Sequence, residues 1–420
     1  MINRYIAHIT IEADTPLKVG SNASDFLQDS PVQKDWNGLP MILGTSIAGV
    51  LRKYFKGNDD EIFGNDNGSK VIFSNALLCI DDKNTVCQEL LLDKDRTEII
   101  KLFDNLPIRE HTAITHKGVA KDNSKFDEEI VYKGTKFKFS IEMIEDEKAF
   151  KSILKLLQSQ SFRLGRGSTK GFGKFKILEI KTQIFDKDNY ENYSSSLNHK
   201  LLDIQDIKYN KSEQYKTYTL KISPDDFFMF GSGFGDSDAD NTPIYEEVVD
   251  YKNKKLSKKQ ILIPASSIKG AIAHRTTYHY NLQNKLFIGT DKSKLTIKEL
   301  FGEAKNSKKD IDGQKGKILI SDCFQEDKEE IKTFDHVAID RFTGGAIEGA
   351  LFQEKTIAQK DEWEIEILIE KDIKEEYIKA FKSALDDICS GMLPLGGMTT
   401  KGHGVFVGEL FIDGVKYEKK

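Results

Sequence analysis

Residues 163–175 read RLGRGSTKGFGKF, and residues 394–406 read PLGGMTTKGHGVF. Laid over one another, Leu164 meets Leu395, Gly165 meets Gly396, and Thr169-Lys170-Gly171 meets Thr400-Lys401-Gly402. Gly173 then meets Gly404, and Phe175 meets Phe406. A chance turn would not recur in that register, so the pair marks duplication of a whole unit. Four further landmarks recur in the same order. Each half opens with a strand running to a Gly-Ser, at 5–22 and at 218–234. A Ser-Ile-x-Gly helix start follows, GTSIAGVLRKYF at 44–55 and PASSIKGAIAHRTTYHY at 264–280. A Phe-Gly pair then precedes a strand, KVIFSNALL at 70–78 and KILISDCFQ at 317–325. The fourth is a long loop, 109–132 and 334–357.

Apolar residues at helical spacing in 149–160 and 376–392 add a second helix to each half. The order strand, helix, strand, strand, helix, strand is the ferredoxin-like, RRM-type βαββαβ pattern of an α+β protein. We therefore expect one domain over 1–185, a polar linker over 186–212, and a second domain over 213–420.

Composition bounds the function classes. The chain has 420 residues, 39% hydrophobic and 31% charged, and no run of eighteen apolar residues, so no membrane span is expected. The start MINRYIAHITIEAD alternates like a strand and does not read as a signal peptide. The four cysteines are scattered without C-x-x-C spacing, which points to a reducing cytoplasm. A net charge of -5 argues against a uniformly basic polyanion binder. Lysines nevertheless cluster locally, as in YKNKKLSKKQ at 251–260, and the local field decides binding.

The motifs are anionic-ligand motifs. Glycines let backbone approach a ligand closely, and successive N–H groups form an anion-binding concavity. Lys170 and Lys401 sit mid-loop, with Arg163 and Arg166 beside the first. The lysine precedes its glycine, so this is not a P-loop. The helix starts at Thr45-Ser46 and Ser266-Ser267 read as N-caps, where free N–H groups attract phosphate. Lys269, and Arg52 or Arg275 on the following turn, would extend such sites. Asp236, Asp238, Asp240 and Glu247 mimic a calcium loop, but Asn241 stands where glycine is needed. His111 and His336 correspond between the halves. His403 replaces Phe172, and no histidine pair for acid–base RNA cleavage is specified.

The glycine loop before a strand, the PASSIKGAI helix start and the HVAIDRFTG loop together resemble the RAMP superfamily of CRISPR-associated proteins. The likeness covers most of the chain, and is to the backbone subunits of type III effector complexes, here two fused in tandem. It implies guide RNA, complementary target RNA and other effector subunits as partners, in a prokaryotic cytoplasm. It implies that the long loops are thumbs. Ile347, Leu351 and Phe352 would wedge between bases, and Arg341 or Arg109 would hold the sugar-phosphate chain. On this likeness, Ser46, Arg52, Arg163, Arg166, Lys170, Ser267, Lys269, Arg275, Arg341 and Lys401 are the expected RNA contacts. Target-cutting relatives carry a loop aspartate in a D-x-P-V-like context. Asp29 fits it, and Asp240, nine residues after Gly231 as Asp29 is after Gly20, is its counterpart. Both would be catalytic and would hold Mg²⁺ or Mn²⁺. A non-cutting scaffold, a metal-independent guide-processing ribonuclease and an unrelated RRM-type binder are the rival expectations.

Overall fold

The structure, a computed structural model, describes residues 3–21, 31–66, 68–115, 119–287, 298–303 and 313–418. In the first half Arg4–Ala13 is the central strand, antiparallel to Lys136–Ile144 on one side and Phe175–Phe185 on the other. Val71–Phe73 and Ala76–Leu78 pair with the outer edge of Lys136–Ile144. The second half repeats this arrangement in the order Ile318–Ile320, Trp363–Glu370, Tyr215–Pro224, Phe406–Ile412. The longer helices are Gly44–Tyr54 and Glu147–Leu157 in one half, Ala265–Asn284 and Glu375–Cys389 in the other. Two ferredoxin-like units in tandem, the expected α+β class, are the result.

Period-two patterning explains each sheet. Tyr5, Ala7, Ile9 and Ile11 project into the core that packs against the helices. Tyr218, Leu220 and Ile222 do the same in the second half. Asp146 starts the helix Glu147–Leu157 by accepting the Ala149 N–H at 2.8 Å.

The opposite face of the first sheet is covered too. Ile6 packs with Phe185 and Leu201, flanked by Tyr190 and Tyr193. Asp203–Ile204 adds an edge strand beside Phe175–Phe185. The segment between the two units is thus laid over the first sheet. His8, enclosed there, is pushed down to about 4 by burial and by nearby Lys138. An RRM would stack bases on this face; here the chain itself occupies it.

The reverse face of the second sheet receives the first half. Tyr215, Leu319 and Leu368 pack against Tyr54. Gln160 Nε2 donates to Glu366, and Lys174 lies 3.5 Å from the same carboxylate. The units therefore stack in one direction, and each sends out a hairpin between its second and third strands. The first comprises Ile108–His111 with Phe126–Glu129, the second Ile331–Ile339 with Ala346–Ile357.

Candidate nucleic-acid interface

The two glycine loops hold the register seen in the sequence. Leu164 N–H donates to Gly173 C=O at 3.0 Å, and Leu395 N–H to Gly404 C=O at 2.8 Å. Gly173 N–H reaches Pro16 C=O, as Gly404 N–H reaches Phe227 C=O. Gly173 and Gly404 have φ of +80° and +78°, and a Cβ at either would strike the preceding leucine's carbonyl. Close backbone packing fixes these glycines. Lys170 lies 5.0 Å over the Phe126 ring and Lys401 4.2 Å over Phe352, so each loop lysine caps its own hairpin base.

The helix starts are capped from a distance, which corrects the N-cap expectation. The N-cap residues are Leu43 and Pro264, without side-chain caps, and Ser46 and Ser267 lie inside the first turn. Gly44 N–H donates to Asn75 Oδ1 at 2.9 Å, and Ala265 N–H to Asp322 Oδ1 at 2.8 Å. A matching Ser-Asn and Ser-Asp after the repeated strands was the available signal.

The first glycine loop lies between the two helix starts. Gly171 forms a bridge with Ser321, and a Cβ there would collide with Asp322. Lys269 Nζ donates to Thr169 Oγ1 at 3.1 Å. Burial and the neighbouring Lys170 push Lys269 down to about 8. Among the described residues neither lysine contacts a carboxylate. On the other side of the loop, Lys53, Arg163 and Lys315 line a cleft of about 240 Å³ with Thr45, Ser46 and Ser168. Arg163 is buried and donates only to neutral groups, the Gln160 and Phe162 carbonyls and Ser321 Oγ. Arg166 is exposed, its guanidinium against Gly20. Lys53 and Lys315 were missed in the sequence, because only the packing of one half on the other brings them together.

Arg52 and Arg275 are engaged elsewhere. Arg52 donates to Asp59 at 2.8 Å and to Asp60, and Arg275 pairs with Asp387, which also meets His279 at 2.6 Å. These pairs tie the helices to their own unit.

Arg109 is also corrected. It is buried, 2.6 Å from Asp322 and 2.8 Å from Glu246, both in the second half. Burial works against its charge, and the two carboxylates overcome this and raise its pKa. The first hairpin is thus docked on the second unit, where His274 also meets the Ile114 carbonyl at 3.3 Å and Lys125 lies 5.6 Å from the Phe234 ring. The second hairpin projects freely. Ile347 and Leu351 are exposed on it, as expected, and so is Arg341. Phe352 is not at the tip; it stacks on His336 at 4.7 Å beneath Lys401. The tip carries Phe342, 100% exposed, in the turn set by the bond from Gly344 N–H to Asp340 C=O.

Of the loop carboxylates, Asp29 lies outside the described residues. Its loop and that of Asp240 close on bridges of equal span, Gly20 with Val32 and Gly231 with Pro243. Position 240, three before its bridge, is therefore the counterpart of position 29. Asp240 is exposed, and its Oδ2 accepts the Gln353 N–H at 2.8 Å. Asp236 and Asp238 instead hold Lys355, at 2.6 and 3.0 Å. The Lys355 ammonium group takes the place between these carboxylates. His336 and His403 sit 2.9 and 3.0 Å from Glu354, a fully buried carboxylate. Both imidazoles are turned towards this carboxylate. No group of three metal-binding side chains occurs among the described residues, and no helix among them is long and apolar enough to cross a membrane.

Comparison with known proteins gives two findings. The family model of the RAMP superfamily matches residues 10–176 and again 246–407. Among solved structures, one similar chain belongs to the cryo-EM structure of the type III-B Cmr-beta bound to cognate target RNA. It is 19% identical with a TM-score of 0.32, over 43% of this chain and 61% of that one. At that score the likeness adds nothing to the fold read from the strand order. No curated protein matches the chain.

Proposed function

The chain belongs to the RAMP superfamily, and we propose that it is an RNA-binding subunit of a type III CRISPR effector with two gripping units in one polypeptide. The observation that carries the reading is the pair Lys170 and Lys269, pressed together at Thr169 without an acid to balance them. Burial and mutual repulsion disfavour both charges there, and an anion held between them would relieve that repulsion. Arg166 and the cleft of Lys53, Arg163 and Lys315 extend the cationic line towards the first helix start. Successive phosphates of a guide RNA fit this line, with Ser46 and Ser267 as hydroxyl donors. Lys401 and Arg341 continue the grip on the second unit.

Asp240, with Asp29 as its counterpart, supports target cleavage. An exposed, singly bonded carboxylate suits an ion that takes its other ligands from phosphates and water, as Mg²⁺ does. Mn²⁺ falls in the same ligand class. Such an ion, when bound, neutralises charge on the phosphate. The chain supplies the rest. Gln353 N–H fixes the Asp240 carboxylate. The apolar hairpin residues Phe342, Ile347 and Leu351 unstack a base, so that the neighbouring 2′-OH can align for in-line attack.

The test uses the complex assembled with guide RNA and a labelled complementary target, in Mg²⁺ or in chelator. Asp29→Ala and Asp240→Ala should each remove one metal-dependent product. Intact target with the wild-type chain would leave a scaffold that grips RNA without cutting it.

A further inference from the structure

Beside its apolar cluster at Tyr54, the internal junction holds polar contacts that have identifiable counterparts at the free ends. Arg109 lies two residues before the His111 that stacks on Phe126, opposite Glu128. Phe334 occupies that place in the second hairpin, opposite Glu354. It packs on Phe227 and His403, as Arg109 packs on Phe172. Asp322 caps the second helix start and receives Arg109; Asn75 caps the first. Glu246 stands three residues after its loop bridge and receives Arg109. Asp35 stands three after the other, and its carboxylate is turned into its own turn, accepting Asn37 and Leu39 N–H at 2.8 and 2.9 Å. Lys269, on Thr169, corresponds to Ala48, and Arg163, on Ser321, corresponds to Pro394.

A second copy docked on the first in the manner of the two halves would therefore press Phe334 against Asn75 and Asp35. No cation would meet the acid, whose carboxylate would lose water and keep only the N–H groups of its own turn. We propose that Arg109, Asp322 and Glu246 form the recognition element of this head-to-tail junction. The two free ends, which lack it, select a different polypeptide and reject a second copy. The partner for the free hairpin presents an uncharged, apolar surface to Phe334. The backbone shape needed for docking persists, because Gly402, the counterpart of the Gly171 wedged on Asp322, faces open space.

The experiment is sedimentation equilibrium of the full chain without RNA, so that its outcome is independent of the RNA reading. The wild-type chain should be a monomer at every loading concentration. Phe334→Arg in one chain and Asn75→Asp in another rebuild the element across two molecules. Each variant, shown folded by circular dichroism, should stay monomeric alone, and the two should form a one-to-one complex on mixing that higher salt weakens. If Phe334→Arg does not fold, Phe334→Lys supplies the charge on a slimmer side chain. Reversible wild-type association that Phe334→Asp abolishes would overturn the proposal. So would two folded variants that remain monomers when mixed.

Discussion

The bases of the two hairpins share a backbone and differ in what they hold. In the first, Glu128 is met by Lys18 and lies 3.2 Å from His111. In the second, Met229 stands in the place of Lys18, and Glu354 is met by two histidines. The first hairpin is clamped to the next unit by Arg109, while the second, with Phe334, is free. Duplication fixed the chain path, and the polar contents then diverged according to whether a hairpin faces its twin or the outside.

The largest way to break that contrast is Arg109→Ala. It leaves Asp322 and Glu246 buried without their cation and should cost about 3 to 5 kcal/mol, read by chemical denaturation. Alanine at Gly173 should come next, because its Cβ collides with the Leu164 carbonyl. Gly402→Ala meets no atom and bears only the left-handed backbone, about 1 kcal/mol, so the two loops separate packing from φ.

The Glu128 carboxyl sharpens the comparison through acid stability. Burial alone would raise it, but His111 and Lys18 prevail and hold it down at about 2. Its folded value lies below the unfolded one near 4.3. The stability it contributes is thus present above about pH 4 and is lost as pH falls towards 2. Denaturation across that window should be flatter in Glu128→Gln. The smallest effect belongs to Lys355→Ala, whose pairs with Asp236 and Asp238 are on the surface; thermal melts should not move.

The duplication, the strand order and the helix starts were legible because short-range patterns carry them. The register of Gly165 with Gly396 and of Gly173 with Gly404 holds residue for residue in the fold. The site was legible only in part. Arg109, Arg52 and Arg275 look like free cations in sequence, since nothing local reveals the distant carboxylates that pair with them. Sequence alone does not tell Phe342 from Phe352, because the placement of the hairpin turn decides which aromatic is at the tip. Asp322 and Asn75 cap helices far away in sequence, a contact that propensity does not reach.

Lysine 269 offers a probe that reads RNA contact separately from folding. Its value of about 8 should rise when phosphate binds, so RNA affinity should fall as pH climbs above 8, by up to about tenfold per unit. Lys269→Arg should remove that dependence.

The most direct measurement is a salt titration of guide-RNA binding by the wild-type chain and by the Lys170→Ala, Lys269→Ala double variant. On a single strand, each phosphate that a lysine no longer neutralises lowers the slope of log affinity against log salt by roughly 0.7. The double variant should bind more weakly, with a slope reduced by roughly 1.4. Unchanged affinity and slope, in a variant that melts like the wild type, would contradict it.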